Sequence, residues 1–473
     1  MNRIPAFLPL LFLLLAGSPL FAQPKAIITG KISKPLSEEI AAVTYPSVWV
    51  PSEEETTTDV EKGQFRLEVP VAKAGMAELV HGSEVITLYL EPSFALNLTA
   101  NGDKLLKTVK FEGNGANENN YLAQFSYNFE ELEQYQVLPD NIKLREKEFL
   151  AFLESRRKEQ LNFLEKFDAK NPLSTTFKKL ATAEIEFGYA NDRITYFDLR
   201  EHIVISENRL TPSATYFDFL QRLDLQQESS LISPNFVGFL SNYTSHIAKA
   251  TGKTEVDPDF YSTSYALTKQ KLTGPVQQLA LSQILKQALQ QGQSKQSEEL
   301  LADFQSQSQE QELLAYLQKL HAENRQLAAG SPAPDFKLNN AQGEEVALSD
   351  FKGKLVYLSF WSSSCGMCLN DMPYLQDLNA RLTGSNIVFV SIGMDDDEAA
   401  WQSMVAKRKL QGVQLYKGLS PEVIAEFGIK ELPAYFLIDE NGQVLTAKPK
   451  RPTDRDLETE LLRILNKEQA SVR

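Results

Sequence analysis

Leu355-Val356-Tyr357-Leu358-Ser359-Phe360-Trp361-Ser362-Ser363-Ser364-Cys365-Gly366-Met367-Cys368 reads as an apolar strand, a short polar loop and a first cysteine placed where a helix begins. A helix N-terminus presents unpaired N–H groups and about half a positive charge, which stabilise a thiolate and lower the cysteine's pKa. Cys368 falls about one turn inside the helix on nearly the same face, close enough for a disulfide and more buried. Cys365 is therefore the expected attacking thiol and Cys368 the resolving one. The chain has 2 cysteines in 473 residues, and a loop closed over so short a span adds little stability, so the pair reads as reactive.

The sequence around this stretch alternates β and α. Strands are expected at Leu355 to Phe360, Ile387 to Ile392 and Ala434 to Ile438, with helices after the cysteine pair, after Asp395 to Asp397, and at Ser420 to Phe427. The small-residue and proline segment from Ala328 to Pro334 marks a boundary, giving an α/β domain over residues 328–473. Upstream, residues 115–327 carry apolar residues at helical spacing, such as Phe149, Leu150 and Leu153, and Leu313, Leu317 and Leu320. Leu281, Leu285 and Leu289 carry the stripe through a Gln-rich part, which makes that part a solvated helix rather than a low-complexity linker. Residues 23–114 have period-two runs, with Phe65, Leu67 and Val69 alternating with Arg66 and Glu68. Turn signals at Lys62-Gly63, His81-Gly82 and Asn101-Gly102 make them an antiparallel β-rich sandwich or barrel.

Residues 1–22 combine Arg3, an apolar run from Ile4 to Leu15 and small residues up to Ala22, the pattern of a cleavable export signal. Pro5, Pro9 and Pro19 weaken the alternative of an uncleaved anchor, and the expected location is the periplasm or cell envelope. A formal charge of −14, from 48 basic and 62 acidic residues, argues against nucleic-acid binding. At 42% hydrophobic residues the chain is globular, and its length calls for more than one domain.

Phe360-Trp361, the Cys365-Gly366-Met367-Cys368 pair, Pro373 five residues on, and Leu432-Pro433 ahead of a strand resemble the thioredoxin superfamily. The TlpA/ResA-like family of exported thioredoxin-like proteins is the nearer likeness. Its opening segment is similar to Gly330-Ser331-Pro332-Ala333-Pro334-Asp335-Phe336 and Leu348-Ser349-Asp350-Phe351-Lys352-Gly353-Lys354. Its closing segment is similar to Phe427-Gly428-Ile429, Leu432 to Asp439 and Asn441-Gly442. Residues 23–327 bear a general likeness to envelope proteins of the Bacteroidetes type, where a β-rich and a helical module precede such a domain. The fold expectation is thus multidomain: an antiparallel β-rich module, an all-α region and a C-terminal α/β thioredoxin-like domain.

The resemblance implies a thiol-disulfide oxidoreductase whose catalytic residues are Cys365, Cys368 and Asp371. It places Asp371 where relatives usually carry a glutamate near the thiols. It also implies a cis peptide at Pro433 beside the disulfide, with Trp361, Gly366, Met367 and Leu432 supporting the site. Ser359 departs from the buried aspartate of thioredoxin, and Ser364 from a bulkier residue. The dipeptide Gly366-Met367 lacks the Pro of thioredoxin and the His of the strong oxidant DsbA, which favours a reductant. Exchange itself needs no bound cofactor. The implied partners are protein disulfides, apocytochrome c thiols among them, and a membrane electron donor of the DsbD/CcdA type.

Other readings compete with this one. Tetrahedral zinc needs two further ligands, and His81, His202, His246 and His321 all lie outside residues 328–473. A peroxiredoxin would carry a proline at the position of Leu358, although Ser362 fits its pattern. A binding or scaffold protein would hold the pair as an inert structural disulfide. Gly252-Lys253-Thr254 lacks the first glycine of a phosphate loop and reads as a turn. Asp395 to Asp397 read as a helix cap rather than a cation site.

Overall fold

A computed structural model of the chain describes residues 24–131, 141–204, 210–255, 257, 259–291, 294–324, 327, 329–395, 397–418 and 421–471. The export signal expected at residues 1–22 lies outside them, as do Ala328, Asp396 and Ser420. The chain divides into two compact units: 24–46, 52–131 and 170–173 form the first, and 47–51, 141–169 and 174–471 the second.

The first unit holds strands β1 (Lys25–Ser33), β2 (Glu39–Thr44), β3 (Glu54–Asp59), β4 (Gln64–Pro70), β5 (Gly75–His81), β6 (Glu84–Leu90), β7 (Ala95–Asn101) and β8 (Lys110–Asn114). They form two four-stranded sheets, ordered β4-β1-β7-β8 and β3-β2-β5-β6. In β4 the expected alternation holds, with Phe65, Leu67 and Val69 buried and Gln64, Arg66 and Glu68 exposed.

Two details of the antiparallel expectation need correction. β1 and β7 pair in parallel, from Ile27 opposite Ala95 to Ser33 opposite Asn101; a parallel pair needs a long crossover, and the strands of the other sheet lie in that crossover. Of the three turn signals, His81-Gly82 closes a tight hairpin between β5 and β6. Lys62-Gly63 also makes a tight turn, with Glu61 and Gln64 exchanging both backbone hydrogen bonds, but the strands it joins belong to different sheets. Asn101-Gly102 leads into the short helix α1 (Leu105–Thr108) before β8. Helix α2 (Ala116–Ser126) completes the unit by sending the fully buried Asn119 into β6, where it accepts from Tyr89 N and donates to Tyr89 O. That side chain replaces a missing strand partner.

Among its described residues the second unit first has the helices α3 (Glu146–Lys170), α4 (Thr175–Ile203), α5 (Pro234–Lys249), α6 (Phe260–Lys271), α7 (Gly274–Gln290), α8 (Ser294–Gln307) and α9 (Gln311–Asn324). Ser174 and Ser233 cap α4 and α5 by accepting from the Phe177 and Phe236 amides. Leu281, Leu285 and Leu289 are buried in α7, so this part of the Gln-rich stretch is a helix as expected; its glutamines are half-buried rather than solvated, Gln283 donating to Val237 O and Gln287 to Ser241 Oγ on α5. Among the described residues, no helix is long and apolar enough to cross a membrane.

The thioredoxin-like domain follows as β9 (Lys337–Asn340), β10 (Glu345–Ala347), β11 (Leu355–Trp361), α10 (Gly366–Arg381), β12 (Ile387–Gly393), α11 (Glu398–Arg408), β13 (Val413–Tyr416), α12 (Pro421–Glu426), β14 (Ala434–Ile438), β15 (Val444–Thr446) and α13 (Leu457–Ser471). Its sheet runs β10-β9-β13-β12-β11-β14-β15. All seven residues of β11 are buried, as befits a central strand covered on both faces. Val356, Leu358 and Phe360 join the core on one face; Leu355 and Tyr357 join Leu375, Leu378, Leu457 and Leu461 on the other.

The segment 330–333 is hydrogen-bonded along β15 rather than hanging free: Gly330 N donates to Val444 O, Val444 N to Ser331 O and Ala333 N to Gly442 O. At the far end of the chain, Arg463 pairs with Asp257 at 3.0 Å and Arg455 donates to Val204 O at 3.1 Å, tying the C-terminal domain to the helical region.

Candidate active site

The polar loop after β11 delivers Cys365 to the N-cap of α10, where its Sγ accepts from the Cys368 amide at 3.1 Å. The amides of a helix's first turn have no partner inside it, and one of these, from the third residue of α10, is directed at sulfur, a charge-stabilising contact for a thiolate. The two cysteines form a disulfide with a Cα–Cα distance of 5.2 Å. Cys365 is half-buried, Gly366 and Met367 are exposed, and Cys368 is 3% exposed. The asymmetry follows from helix geometry, because three residues bring Cys368 back to nearly the same face as Cys365 but about 4.5 Å further along the helix, under the domain surface.

An apolar cluster joins Trp361, Cys368, Met372, Trp401 and Tyr416, with Cys365 and Leu432 packed against it. The Leu432–Pro433 peptide is cis, and β14 begins at the next residue. Trp361, both cysteines and Leu432 are thus brought together, while Met367 stands 57% exposed at the surface. Pro373 is accommodated inside α10.

Asp371 does not face water. It is 1% exposed, and both its oxygens are taken: Arg451 Nη2 donates to Oδ1 at 2.8 Å, while Arg451 Nε at 2.9 Å and Tyr435 Oη at 2.7 Å donate to Oδ2. Burial first, and then the bond to Asp371, push the Tyr435 phenol well above its usual range, so it stays a donor. Beneath Cys368 lies a cavity of about 20 Å³ lined by Cys368, Asp371, Ser359, Ser391, Gln414 and Tyr435, among others. Its size matches one water molecule. Ser359, in place of an acid, donates to Ser391 at 2.8 Å.

Sequence reasoning missed Tyr435 and Arg451; Arg451 stands in the basic, proline-flanked stretch Lys448-Pro449-Lys450-Arg451-Pro452, which was the available signal. It also missed what Asp395 does. Asp397 caps α11 as expected, by accepting from Ala399 N. Asp395 instead reaches back to the cysteine loop and accepts from Ser363 N at 2.8 Å and Ser363 Oγ at 2.5 Å. Gly252 to Thr254 form a turn region, with Lys253 paired to Asp259.

The Redoxin family matches residues 328–461. The chain is 31% identical over 144 residues to the thiol-disulfide oxidoreductase ResA of Bacillus cereus, covering 82% of that protein and 30% of this chain. Through this domain the chain belongs to the ResA family. It is 32% identical over 136 residues to ResA of Bacillus thuringiensis subsp. konkukian, covering 78% of that protein and 28% of this chain. A crystal structure of the thioredoxin domain of a thiol-disulfide oxidoreductase from Bacteroides vulgatus is 27% identical, covers 29% of this chain and 99% of that one, and has a TM-score of 0.28. As a ResA-family protein the chain is a thiol-disulfide oxidoreductase, and the matched residues 328–461 lie in its C-terminal third.

Proposed function

We propose that this ResA-family protein reduces protein disulfides in the cell envelope through Cys365 and Cys368. The observation that carries the reading is the asymmetry of the pair: Cys365 is accessible and its sulfur accepts a helix-terminal amide, whereas Cys368 is 3% exposed one turn inside. The Cys365 thiolate attacks one sulfur of a substrate disulfide, forming a mixed disulfide and releasing the other substrate sulfur as a thiolate. The Cys368 thiolate then attacks Cys365 Sγ, releasing the second substrate thiol and leaving Cys365–Cys368 oxidised. Two electrons pass to the substrate, and a membrane donor of the DsbD/CcdA type returns two electrons and two protons. Apocytochrome c, with its closely spaced thiols, is the substrate class we favour, and the signal-like residues 1–22 support export. Met367, the cis peptide at Pro433 and Leu432 form the surface beside Cys365 on which an extended substrate segment would lie.

Two measurements test this. Cys368→Ser should accumulate mixed disulfides with substrate and Cys365→Ser none; equal capture by both would reverse the assignment of roles. The reduction potential should fall near that of thioredoxin, about −270 mV, and a value near that of DsbA, about −120 mV, would make the protein an oxidant.

A further inference from the structure

The exchange steps above leave unused the group that grips Asp371. We infer that Arg451 is a positioning residue for the resolving step, holding the Asp371 carboxylate against the cavity under Cys368 and thereby setting the pH at which Cys368 attacks. The inference rests on the reading of Cys365 and Cys368 as an exchanging pair.

Three observations converge on it. Arg451 takes both oxygens of Asp371 in a fork, at 2.8 and 2.9 Å, and Tyr435 fixes Oδ2 from β14, so the carboxylate has a single orientation. Of the residues lining the cavity, Asp371 is the one with a charged side chain, and Cys368 shares the same walls. The contact crosses from buried to exposed, because the Arg451 side chain is 44% exposed and that of Asp371 2%. Among the described residues, the other titratable groups near this spot are Tyr435 from β14, Tyr357 from β11 and, within electrostatic reach of Tyr357, the buried Glu460 from α13. Burial, followed by the charges of Tyr435 and Asp371, holds the Tyr357 phenol far above its ordinary range, so it stays neutral.

Electrostatics then gives the role a direction. Forming the Cys368 thiolate next to a buried carboxylate places two like charges together, and that raises the pH needed to form it. With Arg451 in place the thiolate forms beside a paired carboxylate, and the carboxylate stays within reach of a one-water relay from Sγ. Without Arg451 the carboxylate keeps only the Tyr435 bond on Oδ2 and loses the fork that fixes its plane and balances its charge. The first attack, by Cys365 at the open end of the helix, draws on none of these contacts.

The test follows the two steps separately in single-turnover mixing of the reduced full chain with a disulfide peptide. In the parent protein both phases must appear; a missing second phase would sink the exchange reading itself and leave Arg451 out of the question. Given both phases, Arg451→Gln should slow the second roughly 10-fold near pH 7 and move its pH profile upward, with the first unchanged. Arg451→Lys, which keeps the charge without the fork, should recover part of the rate. In an Asp371→Asn background, Arg451→Gln should change the second phase less than about 2-fold, because the residue acts through Asp371. A second phase in Arg451→Gln whose pH profile superimposes on the parent's, equal slowing of both phases, or undiminished slowing in the Asp371→Asn background would each overturn the inference.

Discussion

Glu460 offers a stability measurement whose sign and size both follow from the structure. It lies on α13, is 6% exposed, and its Oε2 is buried without a hydrogen-bond partner among the described residues. Burial pushes its carboxyl up from 4.5 to about 7; Lys450 and Arg463 pull it down, Asp454 and Asp456 push it up, and burial prevails. In the unfolded chain the proton leaves near 4.5, in the folded chain near 7. Between those values the folded state binds more protons, so the domain loses stability as pH rises through that window and loses no more above it. At 1.36 kcal/mol per pH unit, the full loss is roughly 3 kcal/mol. Glu460→Gln keeps the shape of the protonated acid and cannot ionise. Urea unfolding of the full chain, followed by tryptophan fluorescence, should give parent and variant nearly equal stability at about pH 4.5 and a variant more stable by roughly 3 kcal/mol at about pH 8. A gap between the two proteins that is the same at both pH values would refute the assignment of a raised, buried carboxyl.

Two further outcomes are expected. A Cβ at Gly393 would lie 2.1 Å from Trp401 Cδ1, and that ring is fully buried and stacked on Tyr416. Gly393→Ala should therefore cost about 1–3 kcal/mol in thermal unfolding, and an unchanged melting temperature would show that the ring can yield. Residues 328–473 expressed alone should fold and reduce insulin. Such a fragment gives up its ties to the helical region, the Arg463–Asp257 pair among them, with side chains 39% and 19% exposed; partly exposed pairs of this kind contribute about 0–1 kcal/mol. A circular dichroism spectrum of an unfolded chain would contradict this.

What the sequence reveals is local. β11, the cysteine pair and β14 are legible within a few residues, because an apolar run and a helix start are short-range patterns; β14 is both expected and observed from Ala434 to Ile438. Period-two runs also show which face of each N-terminal strand is buried. They do not show which strand pairs with which, since alternation fixes a face and not a neighbour, and so the parallel β1–β7 pair escapes detection. β9, β10, β13 and β15 are three or four residues long and leave almost no periodicity to detect. At the site the same limit applies. Asp371 stands out because it sits three residues from Cys368, whereas Arg451 lies 80 positions away from it along the chain. Only the fold of the sheet brings the two together.

The pairing of residues 330–333 with β15 bears on self-association. A bare strand invites another chain to add to it, and an enzyme whose proposed substrates arrive extended, with cysteines exposed, meets such chains continually. At one border of the C-terminal sheet the outermost strand, β15, begins with Val444, whose N–H and C=O are both taken by the protein's own backbone, as is the carbonyl of Gly442 just before it. At the other border, β10 is a mere three residues long and begins with the charged Glu345. Neither border offers a run long enough to seed a growing ribbon, which leaves the proposed substrate surface beside Pro433 as the place where an extended chain would be held.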